Sequence, residues 1–494
     1  MQKISSIFLL VILAACSSSS PRKPASPVVP LPVPDNALTL QEALKQGPDW
    51  TLTHLKDLSA ASSLTDLPSG LRCDRVSTIN PDRSARQKYI RKFHNWSTKR
   101  RAARAQELIA SFSCSNFFES QAMAFSLEID FPNAKADEQA VTLHQNVIKC
   151  DQQAREDSLL RLSVFSIYKG QCDKALEYLQ TVSATQERGA ADRVTYLRSL
   201  CPTTNVGENP SATDKRNPWG GYGIQLGALK IEKPEKPIWF LSATSGSSDW
   251  DQLLRTLVDL NAAGEKAKIR FLASRLNYEK FRNLPYSFQA SVLVMLHYAG
   301  ADLLVFQTLH RYLSENPQLI NSEVVGLLFP VRFWDSIVKN SPGIDPILVK
   351  SLIRQESAFD PTAKSPARAV GLTQLIYPTA RIFGVKKKTQ LYNPELNIKA
   401  GSGFLKSLID SFGSVELALA AYNAGPDKVR EWQKRYPTSN INLFVEMIPY
   451  TETREYVRLV LRNYKIYQSL LLENQQGADL AKLQPLPSNS AISP

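Results

Sequence analysis

Apolar residues recur at helical spacing along most of the chain. In residues 159–179, two such stretches flank a glycine turn at Gly170. Two amphipathic helices joined by a short turn form a helical hairpin. A second hairpin is predicted over residues 286–313, with its turn at Gly300. The pattern therefore predicts a mainly α fold.

The helical pattern is interrupted once in the N-terminal two thirds of the chain. Residues 37–203 predict an irregular α-solenoid of tetratricopeptide-like hairpins without a strict repeat, and a plain helical bundle is the alternative. Residues 204–249 are crowded with Gly, Pro, Asn and Ser, including Trp219-Gly220-Gly221-Tyr222-Gly223. They predict a long loop or a small insertion. The helical pattern of residues 250–335 predicts a helical linker domain. The polar, Pro-rich composition of residues 473–494 predicts a disordered tail.

Residues 1–15 have the pattern of a signal peptide. Lys3 precedes the apolar run 7–13, which is too short for a permanent membrane helix. Leu13-Ala14-Ala15-Cys16 resembles the bacterial lipobox, whose cysteine is lipidated. The alternative is an ordinary signal peptide in which Cys16 is incidental. Residues 16–36 are Ser-rich and then Pro-rich, which predicts an extended linker after the lipid-anchor cysteine.

The residue after the lipobox cysteine indicates the membrane. In lipoproteins an Asp at this position is the usual signal for inner-membrane retention, and here it is Ser17. The resemblance therefore implies sorting to the outer membrane. We expect the protein on the periplasmic side of the cell envelope, anchored through a lipidated Cys16.

The charge and cysteine content of the chain limit the binding partners and disulfides that we expect. The formal net charge is +13, which favours anionic partners, although nucleic acid is not predicted to be one of them. Besides Cys16 there are five cysteines: Cys73, Cys114, Cys150, Cys172 and Cys201. An odd number allows at most two disulfides within the chain, and the sequence does not give their pairing; buried free thiols are the alternative.

The chemistry available to residues 344–472 is limited. All five histidines precede this segment, and it contains no cysteine. A Ser-His or Cys-His nucleophile pair and a His/Cys zinc site are therefore excluded within it. A carboxyl group with a shifted pKa is the natural candidate for acid-base chemistry, and neither a metal nor a cofactor is predicted.

Glu356 is the candidate carboxyl group. Asp345-Pro346 has the cap and first-position residues that begin a helix. Leu352 and Ile353 mark its apolar face, which Glu356 extends. A carboxyl group beside packed aliphatic side chains is poorly solvated when charged, so its pKa should rise. The alternative is a Glu near a helix end whose side chain swings into solvent.

Four blocks of sequence carry a family resemblance. In chain order they are Ile353-Arg354-Gln355-Glu356-Ser357-Ala358-Phe359-Asp360-Pro361 with Ser365-Pro366, then Gly371-Leu372-Thr373-Gln374, then Ala421-Tyr422-Asn423-Ala424-Gly425, and last Phe444-Val445-Glu446-Met447-Ile448-Pro449-Tyr450-Thr451-Glu452-Thr453-Arg454. Together they resemble the catalytic domain of the soluble lytic murein transglycosylases. The resemblance implies a lysozyme-like domain over residues 336–472, α+β and predominantly helical. The helical N-terminal region resembles the α-superhelix of that family.

The resemblance implies a lyase acting on peptidoglycan glycan strands. Glu356 matches the catalytic glutamate. As an acid it would protonate the oxygen that links N-acetylmuramic acid to N-acetylglucosamine. As a base it would then take the proton from the muramic C6 hydroxyl, which closes a 1,6-anhydro ring. Glycosidases usually need a second carboxylate, and none is obvious here because Asp360 is predicted in the loop after the helix.

The same matching implies roles for five further residues. Ser365 would hydrogen-bond Glu356 or the substrate. Gln374 would bind sugar, and its alternative is a residue that satisfies backbone groups. Tyr422 would lie beside the scissile bond, with core packing as its alternative, and Asn423 would bind substrate or merely cap a helix. Glu446 would help position the sugar, and its alternative is an ion pair with a nearby arginine.

Three positions depart from the family. Thr373 and Ile376 replace methionines, and the hydroxyl of Thr373 is expected to change how the sugar packs. Arg368 replaces a glycine. If the backbone there needs a positive φ angle, an arginine is strained.

Two other functions fit parts of this pattern. A muramidase would cut the same bond with water as the nucleophile. A non-catalytic scaffold would bind the cell wall and use the solenoid to contact proteins of cell-wall synthesis or division.

Overall fold

The structure is a computed structural model. It describes residues 39–56, 71, 88–90, 92–93, 95–129, 134–150, 155–183, 190–201, 220–227, 241–242, 244–281, 283–315 and 321–473. Several predictions lie outside these residues: the signal peptide, the lipidation of Cys16, the linker 16–36, the pairing of Cys73 and the tail after residue 473.

The described residues form helices joined by turns. The α-helices are α1 (Leu40–Gln46), α2 (Pro48–Lys56), α3 (Thr98–Ala110), α4 (Phe117–Ile129), α5 (Ala134–Val147), α6 (Glu156–Tyr168), α7 (Cys172–Ser183), α8 (Ala190–Ser199), α9 (Gly221–Gln225), α10 (Ser248–Ala262), α11 (Lys266–Ala273), α12 (Tyr278–Phe281), α13 (Tyr286–Tyr298), α14 (Asp302–Glu315), α15 (Ser322–Leu328), α16 (Trp334–Lys339), α17 (Pro346–Ser357), α18 (Tyr377–Ile382), α19 (Pro394–Phe412), α20 (Val415–Ala424), α21 (Pro426–Arg435), α22 (Ile441–Met447) and α23 (Thr451–Glu473).

The mainly α fold class is confirmed. No β-strand forms within the described ranges, and the extended pairing there consists of isolated bridges, among them Lys364–Val370 and Val370–Leu375. The β part expected of a lysozyme-like domain is thus very small. In the part of the chain that the structure covers, no helix combines the length and apolar character needed to cross a membrane.

The described residues form two packed units. The first takes those within residues 1–78, 230–404 and 463–485, and the second takes those within 79–229 and 405–462. Helices α19 and α23 contribute residues to both. This division by packing differs in kind from the domain boundaries drawn on the sequence, which stay predictions.

In the first unit, the predicted hairpin around Gly300 is present as α13 and α14. Gly300 has a φ of +71°, a conformation that favours glycine. Helix α13 is buried along most of its length and forms part of the core of this unit. The hydroxyl of Tyr298, at its end, donates a hydrogen bond to the carbonyl oxygen of Ala43 in α1 (2.7 Å).

In the second unit, the predicted hairpin around Gly170 is present as α6 and α7. Leu159, Val164 and Leu179 belong to one buried cluster with residues of α8 and α22. Two disulfides join Cys114 to Cys150 and Cys172 to Cys201, within the limit of two that the cysteine count set. Disulfides constrain the unfolded chain and so stabilise this unit.

A short helix lies within the predicted long loop or small insertion. Residues 221–225 form α9. Tyr222 and Ile224 are buried there. A Cβ atom at Gly221 would lie 3.1 Å from Cβ of Arg458, so the small residue allows this close approach. Burial of the two apolar side chains against the unit outweighs the low helix propensity of the glycines.

Candidate active site

Helix α17 carries Glu356 in its last turn. The helix begins as predicted, with Pro346 at the first position and the Asp345 carboxylate accepting a hydrogen bond from the Ile347 amide (2.8 Å). Leu352 and Ile353, one turn before Glu356, have at most 1% of their surface exposed. Glu356 itself is half-buried. Its side chain therefore lies at the border between the apolar core and the surface.

The end of α17 is enforced by its backbone. Ala358 and Phe359 have φ angles of +49° and +63°, which residues other than glycine seldom adopt. The Ala358 amide donates to the carbonyl oxygen of Arg354 (3.2 Å) and closes the last turn. The ring of Phe359 is buried, 4.9 Å below the Lys350 ammonium. This packing maintains a left-handed turn that costs about 1 kcal/mol per residue.

Arg354 fixes the same turn from the other side. It is 5% exposed. Its Nε donates to the carbonyl oxygen of Leu328 (2.8 Å) and its Nη1 to Oδ1 of Asn463 (3.1 Å). The guanidinium also stacks over Phe329. Burial lowers the pKa of this arginine to about 10. A cation held in this way makes the helix end rigid.

Ser365 belongs to a tight turn. Its amide donates to the carbonyl oxygen of Ala369 (3.0 Å), and its Oγ accepts from the Ala369 amide (3.1 Å). Arg368 inside this turn has a φ of +67°. The condition under which an arginine at this position is strained, a positive φ, is therefore met.

Gln374 closes the loop that contains Ser365. It has a φ of +47°. Its Nε2 donates to the carbonyl oxygens of Ala363 (3.1 Å) and Gly371 (2.8 Å). The amide thus satisfies backbone groups, as the alternative interpretation proposed. Its Oε1 is buried without a hydrogen-bond partner, a costly arrangement.

Thr373 does not contribute a hydroxyl to the surface. It has no exposed area, and its Oγ1 donates to Oδ1 of Asn397 (2.7 Å). The expectation that this hydroxyl changes sugar packing is therefore wrong. A Cβ atom at Gly401 would overlap the Thr373 side chain, so the threonine fits a close contact in the core.

Tyr422 and Asn423 lie in the last turn of α20, in the second unit. Both are half-buried. The helix ends at Gly425, with a φ of +93°, and α21 begins at Pro426; glycine is common just after a helix and proline at the first position of the next. Oδ1 of Asn423 accepts a hydrogen bond from Oγ1 of Thr453 (2.7 Å), which fixes the orientation of the amide.

Glu446 lies inside an arginine cluster. It has no exposed surface, and its carboxylate pairs with Arg458 and with Nη2 of Arg193 (3.3 Å). Burial alone would raise the pKa of Glu446, but the charges of Arg458, Arg193 and Arg454 outweigh it and lower the pKa to about 2. This is the ion-pair arrangement that was the alternative to a sugar contact.

Arginines also satisfy the carbonyl groups at the end of α22. Arg161 of α6 donates from Nη1 to the carbonyl oxygen of Glu446 (2.6 Å) and from Nη2 to that of Met447 (3.1 Å). Arg454 donates to the carbonyl oxygen of Ile448. The last carbonyls of a helix lack partners within it, so these contacts stabilise the turn after Met447.

Arg161 also contacts a second group of buried polar side chains, those of Glu128 and His144. Its Nε bonds Oε2 of Glu128 (2.6 Å), and Nε2 of His144 lies 3.0 Å from Oε1 of the same carboxylate. Sequence reasoning missed Arg161 and Arg193, which lie hundreds of residues before the turn that they stabilise. No local pattern signals such a contact, because burial of a long-range ion pair depends on the folded chain.

A comparison with models of protein families identifies the type of domain that contains this site. Residues 337–445 match the family model described as Transglycosylase SLT domain. This part of the chain is therefore an SLT transglycosylase domain. The match contains Glu356, Ser365, Gln374, Tyr422 and Asn423, and it ends one residue before Glu446.

The chain is similar to soluble lytic murein transglycosylases. It is 36% identical over 155 residues to that of Salmonella typhimurium, covering 29% of this chain and 24% of the relative. It is 38% identical over 145 residues to that of Escherichia coli K12, covering 27% of this chain and 22% of the relative. The matched region thus spans only about a quarter of the length of these relatives.

A solved structure extends the likeness to most of the chain. The lytic transglycosylase Slt of Pseudomonas aeruginosa, determined as an inactive mutant, aligns with a TM-score of 0.57 and 21% identity. The alignment covers 88% of this chain and 67% of that one. At this identity the likeness establishes the fold, which confirms a helical region combined with a lysozyme-like domain.

The loop of Gln374 should tolerate no side chain at Gly371. A Cβ atom there would overlap the Asn397 side chain and the Leu391 carbonyl oxygen, and φ is +81°. We expect Gly371→Ala to destabilise the protein by about 3 kcal/mol. The matched control is Gly384→Ala, with a φ of +91° and nothing within 4 Å, which should cost about 1 kcal/mol. Denaturant unfolding measures both, and equal losses would contradict the close approach.

The variant Glu446→Gln tests whether Glu446 acts through its ion pairs or through a contact with the sugar. Because the pKa of Glu446 is lowered from 4.5 to about 2, its carboxylate stabilises the fold above about pH 4.5. That contribution is lost as the pH falls from about 4.5 to about 2. We expect the variant to lose on the order of 3 kcal/mol at pH 7 and to show a flatter acid transition.

The control for this measurement is Glu107→Gln. Glu107 is 63% exposed and pairs with Arg104 on the surface of α3, so its loss should cost less than about 0.5 kcal/mol. A Glu446→Gln variant that unfolds like the wild type but binds glycan less tightly would instead support the sugar contact.

Proposed function

We propose that this protein is a peptidoglycan lytic transglycosylase. Glu356 protonates the glycosidic oxygen between N-acetylmuramic acid and N-acetylglucosamine, and the bond from muramic C1 to that oxygen breaks. The resulting carboxylate accepts the proton of the muramic C6 hydroxyl, whose oxygen bonds to C1. The product ends in a 1,6-anhydro ring, and Glu356 recovers its proton.

The position of Glu356 carries this proposal. A carboxyl group that acts as an acid near neutral pH must hold its proton and still reach the substrate. Glu356 is half-buried at the end of a helix whose preceding turn is buried at Leu352 and Ile353. The aliphatic side chains of Leu352 and Ile353 limit the solvation of a carboxylate. The surface at the helix end leaves the group accessible.

The helix itself favours the protonated group. Backbone dipoles give the C-terminal end of a helix a partial negative charge, which disfavours a second negative charge in the last turn. Glu356 lies one residue before the end of α17. The left-handed turn at Ala358 and Phe359 ends the helix at this point.

The neighbouring carboxyl group supports a mechanism without water. A hydrolase that inverts or retains configuration uses a second carboxylate. Oδ1 of Asp360 accepts hydrogen bonds from the amide (2.8 Å) and the hydroxyl (2.7 Å) of Thr362. It is thereby occupied in a loop turn. Attack by the C6 hydroxyl of the substrate needs no such partner, which favours the lyase over the muramidase.

The remaining site residues are proposed to orient the sugar. Gln374 is proposed to bind sugar in the cleft, while its side-chain nitrogen holds the loop through the carbonyl oxygens of Ala363 and Gly371. Tyr422 and Asn423 are half-buried and are proposed to contact the substrate beside the scissile bond. Ser365 is proposed to hydrogen-bond Glu356 or the substrate through its hydroxyl hydrogen, because its Oγ already accepts from Ala369. For Glu446 the arginine pairs favour an indirect role through the α22 end.

The cellular setting is part of the proposal. The lipobox-like Leu13-Ala14-Ala15-Cys16 supports a lipid anchor, and Ser17 supports the outer membrane. The linker of residues 16–36 would separate the enzyme from the lipid. Proteins of cell-wall synthesis or division remain candidate partners of the N-terminal helical region.

Glu356→Gln tests the proposal. The amide cannot donate a proton and then recover one, so release of soluble muropeptides from purified sacculi should fall by at least about 100-fold. The matched control is Asp360→Asn, which removes the neighbouring charge and should retain most activity. If Glu356→Gln releases muropeptides as fast as an active wild type, Glu356 is not the acid and base. If neither protein releases muropeptides, a non-catalytic wall-binding scaffold is favoured.

The mass of the reaction products distinguishes a lytic transglycosylase from a muramidase. A lytic transglycosylase leaves anhydro ends that are lighter by one water than the reducing ends of a muramidase digest. We expect mass spectrometry of wild-type digests to find anhydro ends. Reducing ends that incorporate oxygen from labelled water would show that water attacks.

A further inference from the structure

Most of the net charge comes from one short segment. Residues 83–104 contain nine Lys and Arg residues and no Asp or Glu, so they contribute +9 of the formal +13. Tyr89, Phe93 and Trp96 lie among these basic residues. The total net charge does not reveal this segment, but charge counted in short windows of the sequence does. It lies far from the SLT match at residues 337–445 in sequence.

The described part of the segment presents unpaired cations. Lys88, Lys92, Lys99 and Arg100 are exposed. None of the four forms an ion pair with an acidic side chain within the described residues. By contrast, Arg104 pairs with Glu107 and Glu119. We call the four exposed residues the basic patch. Four neighbouring cations without acidic partners repel one another and favour an anionic ligand.

The aromatic rings hold the patch in place. Phe93 is fully buried in a cluster with Ala105 and Leu108 of α3. The Arg100 guanidinium lies 4.0 Å from the centre of the Trp96 ring, and the Lys92 ammonium lies 5.3 Å from it. Cation-π contacts at these distances are favourable. They fix two of the four cations and leave the Trp96 ring occupied by the protein's own side chains.

The chemistry of the patch selects among anionic partners. Single-stranded nucleic acid would stack bases on exposed aromatic rings, but the ring of Trp96 is already covered. A lipid surface is usually bound by cations together with exposed apolar side chains. The strongly exposed large apolar side chains of the described residues all lie at or beyond Phe271. What remains is a flexible polymer that carries separated negative charges.

We propose that the basic patch is a second binding site, outside the SLT domain, for the carboxylate groups of peptide-bearing glycan strands. This inference rests on the proposed function, which makes peptidoglycan the substrate. The peptides on such strands bear carboxylates, and removing the peptides frees the lactyl carboxylate of each N-acetylmuramic acid, so only amidation makes a strand neutral. The patch would hold peptide-bearing strands near the enzyme without touching the reacting bond.

Charge reversal tests the patch. The full-length protein with Glu356→Gln, which leaves the wall intact, is sedimented with purified sacculi at about 0.05 M salt. Lys92→Glu, Lys99→Glu and Arg100→Glu together should lower the affinity about tenfold, and the loss should shrink below about twofold at 0.5 M salt. The matched control is Lys266→Glu, Lys268→Glu and Lys399→Glu, three exposed lysines with the same change in charge, and we expect less than a twofold effect.

Three further arms make the result decisive. Sacculi whose carboxylates have been converted to neutral amides should bind the unreversed protein as weakly as native sacculi bind the patch variant. Triple substitution of the patch by Gln should give an intermediate loss, and thermal unfolding shows whether each variant is folded. The proposal is overturned if the control triple loses as much affinity, or if amidated sacculi bind normally. Tighter patch-dependent binding to anionic vesicles or to single-stranded DNA would also overturn it.

The experiments distinguish failure of the proposed binding by the basic patch from failure of the proposed catalytic mechanism. On strands stripped of peptides and then converted to neutral amides at their lactyl carboxylates, the patch variant with Glu356 intact should keep its kcat/KM within about twofold. On peptide-bearing strands its KM should rise about tenfold with kcat unchanged. If Glu356→Gln retains full activity, the proposed mechanism fails, but the sedimentation result still decides whether the patch binds the wall.

Discussion

The end of helix α17 is the constraint on which the candidate site depends. Two consecutive left-handed residues, Ala358 and Phe359, stop a helix that is otherwise buried. The packing of Phe359 below Lys350 and the contacts of Arg354 maintain this turn. Strain of this kind persists only where surrounding contacts fix it. Its consequence is a glutamate that is shielded by aliphatic side chains and still reaches the surface.

A different kind of rigidity supports the second unit. Arg161 and Arg193 belong to helices that precede the SLT match, yet they bind the end of α22 and the carboxylate of Glu446. Removing one partner of a buried pair leaves an uncompensated charge, which costs far more than the intact pair contributes. The N-terminal helices within this unit are therefore part of its folding core. A fragment cut at residue 336 would lack these contacts.

The sequence predicted what local rules determine. The two glycine-centred hairpins and the cap at Asp345 follow from residue type and spacing, and the structure contains all three. Details that depend on distant contacts were not predictable in this way. The burial of Thr373 against Gly401 and the helix at residues 221–225 are of this second kind. For Glu446 the sequence suggested an ion pair with some nearby arginine as the alternative to a sugar contact. It did not identify which arginines, because sequence spacing does not reveal which side chains meet.

The central claim is that the carboxyl group of Glu356 keeps its proton until a glycan strand arrives. Titration of carbon-13-labelled glutamate by NMR, with Glu356→Gln to assign the signal, measures this directly. The account predicts a pKa for Glu356 clearly above the value of about 4.3 found for a solvated glutamate. A pKa at or below that value would contradict the account, because the group would then be charged before any substrate binds.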